Sequence, residues 1–127
     1  MIEALFNSPN YEMSKVMLDV STQRQEALAS NIANVETPGY HRVDVSKSFE
    51  QELQSHFKAG DPTTAMLHQN AIAADPDARS TRADGNNVEL DNELLKMGAN
   101  EMQYETLTEF VSSSLAQLKT AITGNVQ

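Results

Sequence analysis

Three histidines, His41, His56 and His68, come first in any search for chemistry, because imidazole binds zinc and moves protons near neutral pH. No two of them stand four residues apart, and the chain has no cysteine to complete a zinc site. They read as solvated surface residues, and neither a metal nor any other cofactor is expected. The acidic stretch "ADGNNVELDNE" invites comparison with a calcium loop. However, the alternate ligand positions upstream of Gly85 are Asp84, Arg82 and Ser80, which fails the EF-hand pattern. It reads better as a turn, Asp84-Gly85-Asn86-Asn87, leading through Val88 and Leu90 into a helix. There is no G-x-S-x-G, no Gly-rich phosphate loop and no carboxylate pair in an apolar setting, so neither an enzyme nor a small-molecule substrate is expected. Met13, Met17, Met97 and Met102, at helical spacing, are adaptable packing residues rather than ligands for a soft metal.

A different constellation is more specific. In "LASNIANVETPGYHR", residues 28–42, an apolar helical series of Leu28, Ile32 and Val35 carries two asparagines and then stops. Asparagine is a poor helix-interior residue because its amide competes for nearby backbone groups. Pro38 disfavours helical geometry at Thr37, and Pro38-Gly39 fits the centre of a type II turn in which Gly39 supplies the positive φ. Asn31 and Asn34, three apart, share a helix face. Their amides either bond the turn or a neighbouring chain, or merely satisfy the helix's own last carbonyls. The candidate site is therefore Asn31, Asn34, Thr37, Pro38, Gly39 and Tyr40.

Two helical ends must position this corner. Residues 10 to 35 carry Met13, Val16, Met17, Val20, Ala27, Leu28, Ile32 and Val35 at mostly three- and four-residue steps, which predicts one amphipathic helix. At the other end, steps of four and three run through Leu90, Leu94, Met97, Glu101, Tyr104, Thr108, Val111, Leu115, Leu118 and Ile122. Only Glu101 and Thr108 break this heptad line, so Leu90, Leu94, Met97, Tyr104, Val111, Leu115, Leu118 and Ile122 form a candidate assembly seam. Leu95, Met102, Leu107 and Phe110 widen it beyond what one partner helix covers. Asp91 is the expected N-cap, Glu93 a first-turn acid and Gly124 the C-terminal stop. Between the ends, Phe49, Leu53 and Phe57 behind Ser46 and Ser48 predict a short helix, and residues 59–87 show no sustained period. The expected fold is mainly α: long N- and C-terminal helices paired as a coiled-coil-like hairpin around a largely irregular middle. The expected organisation is one domain over 1–127: a helix region at 1–36, a turn, short helix and loop at 37–87, and the long helix at 88–123.

A net charge of −9 and a pI near 4.6 leave no basic stripe for phosphates, so nucleic acid is a poor partner. No apolar run is long enough to span a membrane, and "MIEALFNSPN" lacks the basic start and apolar stretch of a Sec-type signal. Two helices joined by some fifty mostly polar residues cover each other's stripes on one side only, which predicts docking or self-assembly and a marginal isolated chain. A cytoplasmic coiled-coil export adaptor is the alternative that would share the acidic charge and the amphipathic ends.

The stretch 28–42 resembles the N-terminal signature of the bacterial flagellar axial proteins, the rod and hook family. Asn31, Ile32, Ala33, Asn34, Thr37, Gly39, Tyr40 and Arg42 match its pattern, while Ser30 and His41 are mild departures. The resemblance covers residues 10–45 and 84–123. The short length and "DGNNVELDNELLKMGANEMQYETLTEFV" are most similar to the basal-body rod proteins, and among these to one short proximal subunit. A second proximal subunit, whose first helix usually starts with a more glycine-containing run, is the alternative. The resemblance implies a structural rod subunit of the flagellar basal body, exported by the type III apparatus without cleavage and assembled in the periplasm to transmit torque. It implies terminal helices that pair on assembly and are largely unfolded before it. The implied partners are copies of itself, other rod subunits, the rod-to-membrane-ring junction protein FliE and the export gate. Ile2, Leu5 and Phe6 are implied export-gate contacts, docking on neighbouring subunits being the other reading.

Overall fold

The computed structural model describes residues 8–80 and 82–124. The first helix, α1, runs Pro9–Ala33. Ser8 caps it, its side chain accepting from the Tyr11 N–H, and Pro9 occupies the first turn, where a missing N–H costs nothing. A three-residue strand β1, Val43–Val45, follows the corner and precedes α2, Lys47–Ala59. Ser46, one of the two serines expected there, caps α2 by accepting from the Phe49 N–H, and Gly60 ends it in the left-handed region at φ 73. A 3-10 turn, Thr63–Met66, leads to strand β2, Ile72–Ala74, and the long helix α3 closes the chain at Leu90–Thr123.

The two strands pair antiparallel in the register Val43↔Ala74, Asp44↔Ala73, Val45↔Ile72. Neither showed in the sequence, because three residues are too few to display a two-residue alternation. The region 59–87 is thus less irregular than its composition suggests. A second difference lies at the start of α3. Glu89, not Asp91, is the cap residue, and its side chain makes no capping bond; Asp91 sits inside the first turn. Val88 is buried and Glu89 is extended at φ −109, so the chain enters the helix two residues earlier than the polar pattern implied.

The main apolar cluster is Val16, Phe49, Leu53, Met66 and Ala71, with Met13, Val20, Val45 and Leu67 packed against it. It joins one face of α1 to the middle segment. Phe57, the third residue of the predicted α2 stripe, is 38% exposed and stays outside. The other long helix lies against a different face of α1. Pairs Asn31 with Glu93, Gln25 with Glu101 and Ser21 with Asn100 show that the two helices run antiparallel. At 1.5 Å per residue, α1 is about 37 Å long and α3 about 51 Å. The architecture is a helical hairpin whose first arm also carries a small mixed layer.

Candidate functional site

The corner after α1 is built as its residues require. The Thr37 carbonyl accepts from the Tyr40 N–H at 3.3 Å, and Gly39 between them takes φ 73, the value a type II turn needs at that position. The two asparagines divide the work. The Asn34 amide donates to the Ser30 carbonyl of its own helix at 2.8 Å, and its carbonyl oxygen accepts from the Thr37 hydroxyl at 3.1 Å. Asn31 is fully buried and looks outward from the helix. Its amide donates to the Val43 carbonyl (2.8 Å) and to Glu93 of α3 (2.9 Å), and its oxygen accepts from the Val43 N–H (2.9 Å) and the Tyr40 hydroxyl (3.1 Å). Tyr40 therefore folds back on the last turns of α1. One side chain ties the end of α1, the start of β1 and the start of α3.

A second turn docks on the first. Its closing bond runs from the Gly85 N–H to the Arg82 carbonyl, with Gly85 at φ 81, so the turn spans Arg82–Gly85 rather than Asp84–Asn87. The Gly39 N–H donates to the Asp84 carbonyl at 2.8 Å, and a Cβ on Gly85 would stand 3.8 Å from the Gly39 Cα. Asn86, fully buried, donates through its amide to the carbonyls of Asn34 (2.9 Å), Val35 (3.1 Å) and Thr37 (2.9 Å). Its oxygen accepts from the Val88 N–H at 2.8 Å. A helix end leaves carbonyls without partners, and here they are capped from about fifty residues away, with the Arg82 guanidinium also on Val35. Asn87 continues the seam, accepting from the Arg42 N–H at 2.6 Å and donating to the Ala78 carbonyl at 3.2 Å.

Under this junction lies an ion cluster. Arg42, 4% exposed, donates through Nε to Glu93, itself 1% exposed, at 2.6 Å; it also donates to Asp44 at 3.0 Å and to Asp75. Arg24 of α1 holds the other side of Asp44 at 2.9 Å, and Lys96 approaches it at 4.0 Å. Burial alone would raise the Asp44 carboxyl, but the Val45 N–H, Arg24 and Arg42 together hold it below the usual carboxylate range. Asp75 is likewise lowered, burial being outweighed by the Asp77 N–H and Arg42. Burial works against the Arg42 charge, yet Glu93 and Asp44 raise its pKa. These shifted groups belong to ion pairs, which by themselves need no catalytic explanation.

Polar side chains also join the middle of α3 to α1. Asn100, 2% exposed, donates to the Ser21 carbonyl (2.9 Å) and to Gln25 (2.8 Å), while the Ser21 hydroxyl donates to Asn100 (3.0 Å). Of the candidate seam, Leu118 is buried and Met97 and Val111 are half-buried, whereas Leu90, Leu94, Tyr104, Leu115 and Ile122 are exposed, from 43% to 63%. Leu95, Met102 and Phe110 are exposed as well. Ile2, Leu5 and Phe6 lie outside the described residues.

The sequence reading missed Ser21, Asn86, Asn100 and the pairing of Arg42 with Glu93. A signal existed: Glu93, Asn100 and Ser114 stand at multiples of seven residues, a second line beside the apolar one. Polar residues at a heptad spacing are easily taken for a solvated face. Among the described residues, no group of three His, Asp or Glu side chains could hold a metal ion, and no helix is long and apolar enough to cross a membrane. The arrangement can hold backbone and helices at fixed angles.

Comparison with known proteins gives a consistent result. A family described as "Flagella basal body rod protein" matches residues 21–41, the last half of α1 and the corner. The flagellar basal body rod protein FlgB of Aeromonas hydrophila is 32% identical over 115 residues, covering 84% of this chain and 87% of its own length. The protein of the same name from Escherichia coli K12 is 31% identical, covering 77% and 81%. That from Bacillus subtilis 168 is 27% identical, covering 80% and 83%.

Proposed function

The chain belongs to the flagellar basal body rod protein family, and from this premise we propose that it is a structural subunit of the proximal rod, working by packing rather than by chemistry. The observation that carries the reading is that the family-matched stretch, residues 21–41, is the part of α1 that meets α3 and forms the corner. A subunit passing torque needs its two helices held at a fixed angle. The buried Asn31, Asn86 and Arg42–Glu93 contacts contribute to that rigidity. The large apolar side chains exposed on α3 are then left for neighbouring subunits, where their burial offsets the entropy of ordering the assembly.

In this reading the subunit resides in the basal body on the periplasmic side, reached by type III export. Copies of itself and other rod subunits cover α3, and FliE and the export gate are further partners. The test uses Leu115→Asp. Leu115 is 45% exposed, so the charge changes the surface and leaves the internal packing in place. The expected result is a chain made at normal level, with unchanged circular dichroism as a monomer, in cells without motility whose basal bodies lack a rod. Retained motility would overturn the assignment of α3 as the assembly surface.

A further inference from the structure

One end of the molecule carries a hollow that neither the corner nor the α3 surface uses. It has a volume of about 330 Å³ and opens between the first turn of α1 and the end of α2, with Pro9, Glu12, Phe57, Gly60 and Asp61 among its walls. Three features give it one preference in charge. Glu12 and Asp61 each bring a carboxylate, and neither side chain has a hydrogen-bond or ion-pair partner among the described residues. Gly60 ends α2 there, so the negative end of a 13-residue helix borders the hollow. Phe57 stays outside the apolar cluster at 38% exposure, and an aromatic face attracts a cation held within about 6 Å of its centre. His56 and Lys58, the basic residues of that last turn, do not line the hollow.

The chain has four arginines, and three are engaged: Arg24 and Arg42 in the ion cluster, Arg82 on Val35 and Asp84. Arg79 is exposed and makes no hydrogen bond or ion pair with its side chain among the described residues. It stands beside Asn87, Glu89 and Asn92 at the start of α3, which Glu93 ties to Asn31 in the last turns of α1. The hollow lies at the opposite end of α1, a helix about 37 Å long, so Arg79 cannot enter the hollow of its own chain. We infer that Arg79 enters the hollow of a second copy, its planar guanidinium lying on Phe57 between Glu12 and Asp61. A contact between two different patches joins the head of one subunit to the tail of the next and need not close on itself. The inference rests on the reading of the chain as a self-assembling subunit: the exposed apolar surface of α3 supplies burial, and this pair supplies direction. Charges in contact and partly enclosed are screened by salt far less than the general repulsion from a net charge of −9.

Sedimentation velocity of the full-length chain over a concentration series at fixed salt tests it. The unaltered chain is expected to grow past the dimer as concentration rises. Asp61→Lys and Arg79→Glu should each weaken association roughly fivefold, although the first makes the net charge less negative and the second more so. The chain carrying both changes should recover most of that loss, because the pair is restored with its signs exchanged. Both residues are exposed, so circular dichroism of every variant should match that of the unaltered chain. Growth that stops at a dimer, either single variant associating as the unaltered chain does, or a double variant no better than the weaker single one would each overturn the proposal. Leu115→Asp leaves both halves of this pair in place, so a null result here with motility still lost there removes the pair and keeps the rod reading.

Discussion

Asn86 holds three carbonyls of the α1 end on one amide nitrogen. Replacing it by alanine removes one donor from each of those carbonyls and takes the acceptor from the buried Val88 N–H, at a cost of about 1–3 kcal/mol. Asn34→Ala should cost less, because its bonds are local and exposed. Urea unfolding of the two variants compares them directly. Asp44 and Asp75 make a second prediction at this scale. Both have folded pKa values below the unfolded one of about 3.9, so their contribution is complete above that pH and lost as pH falls through the folded values. Stability should therefore drop below about pH 4, and Asp75→Asn should flatten that drop in acid titrations followed by circular dichroism. The residues Asn31 to Tyr40 were legible from sequence because Pro38-Gly39 has one economical backbone solution. Arg42 and Glu93 were not, since a pairing across 51 positions leaves no local pattern.

The elements themselves were mostly readable. Helical period and capping residues located α1, α2 and α3 within a few positions, since each rule there is local. β1, β2 and the cap at Glu89 were invisible because they depend on what the middle segment packs against. The partition of the apolar residues also escaped the reading. A stripe shows that a helix face is buried somewhere, but not whether in its own chain. Two glycines test the elements with opposite signs. Gly39 sits at φ 73 with nothing near its missing Cβ, so Gly39→Ala should lower stability by about 1 kcal/mol from backbone strain alone. Gly98, in the interior of α3 with nothing within 4 Å of its missing Cβ, should gain about 0.5–1 kcal/mol on conversion to alanine. Thermal melts of the pair separate the two effects.

At the scale of the whole molecule, a charge of −9 opposes the approach of identical copies. Exposed charges are screened beyond about 10 Å at 0.1 M salt, so self-association should rise as salt increases from about 20 to 500 mM. Sedimentation velocity reads this directly, and Leu115→Asp should not respond. The docking of one turn on the other has a further consequence for how the chain reaches its shape. The Gly39–Asp84 bond joins residues 45 apart, and Ser21 meets Asn100 across 79 positions. Mainly helical proteins usually owe their speed of folding to short-range contacts. This hairpin adds long sequence separations to its local helical contacts, and loop closure must precede the docking of the two turns. Its folding rate should fall well below that of a helical bundle of equal length, so that newly made chain stays extended far longer than its helix content suggests.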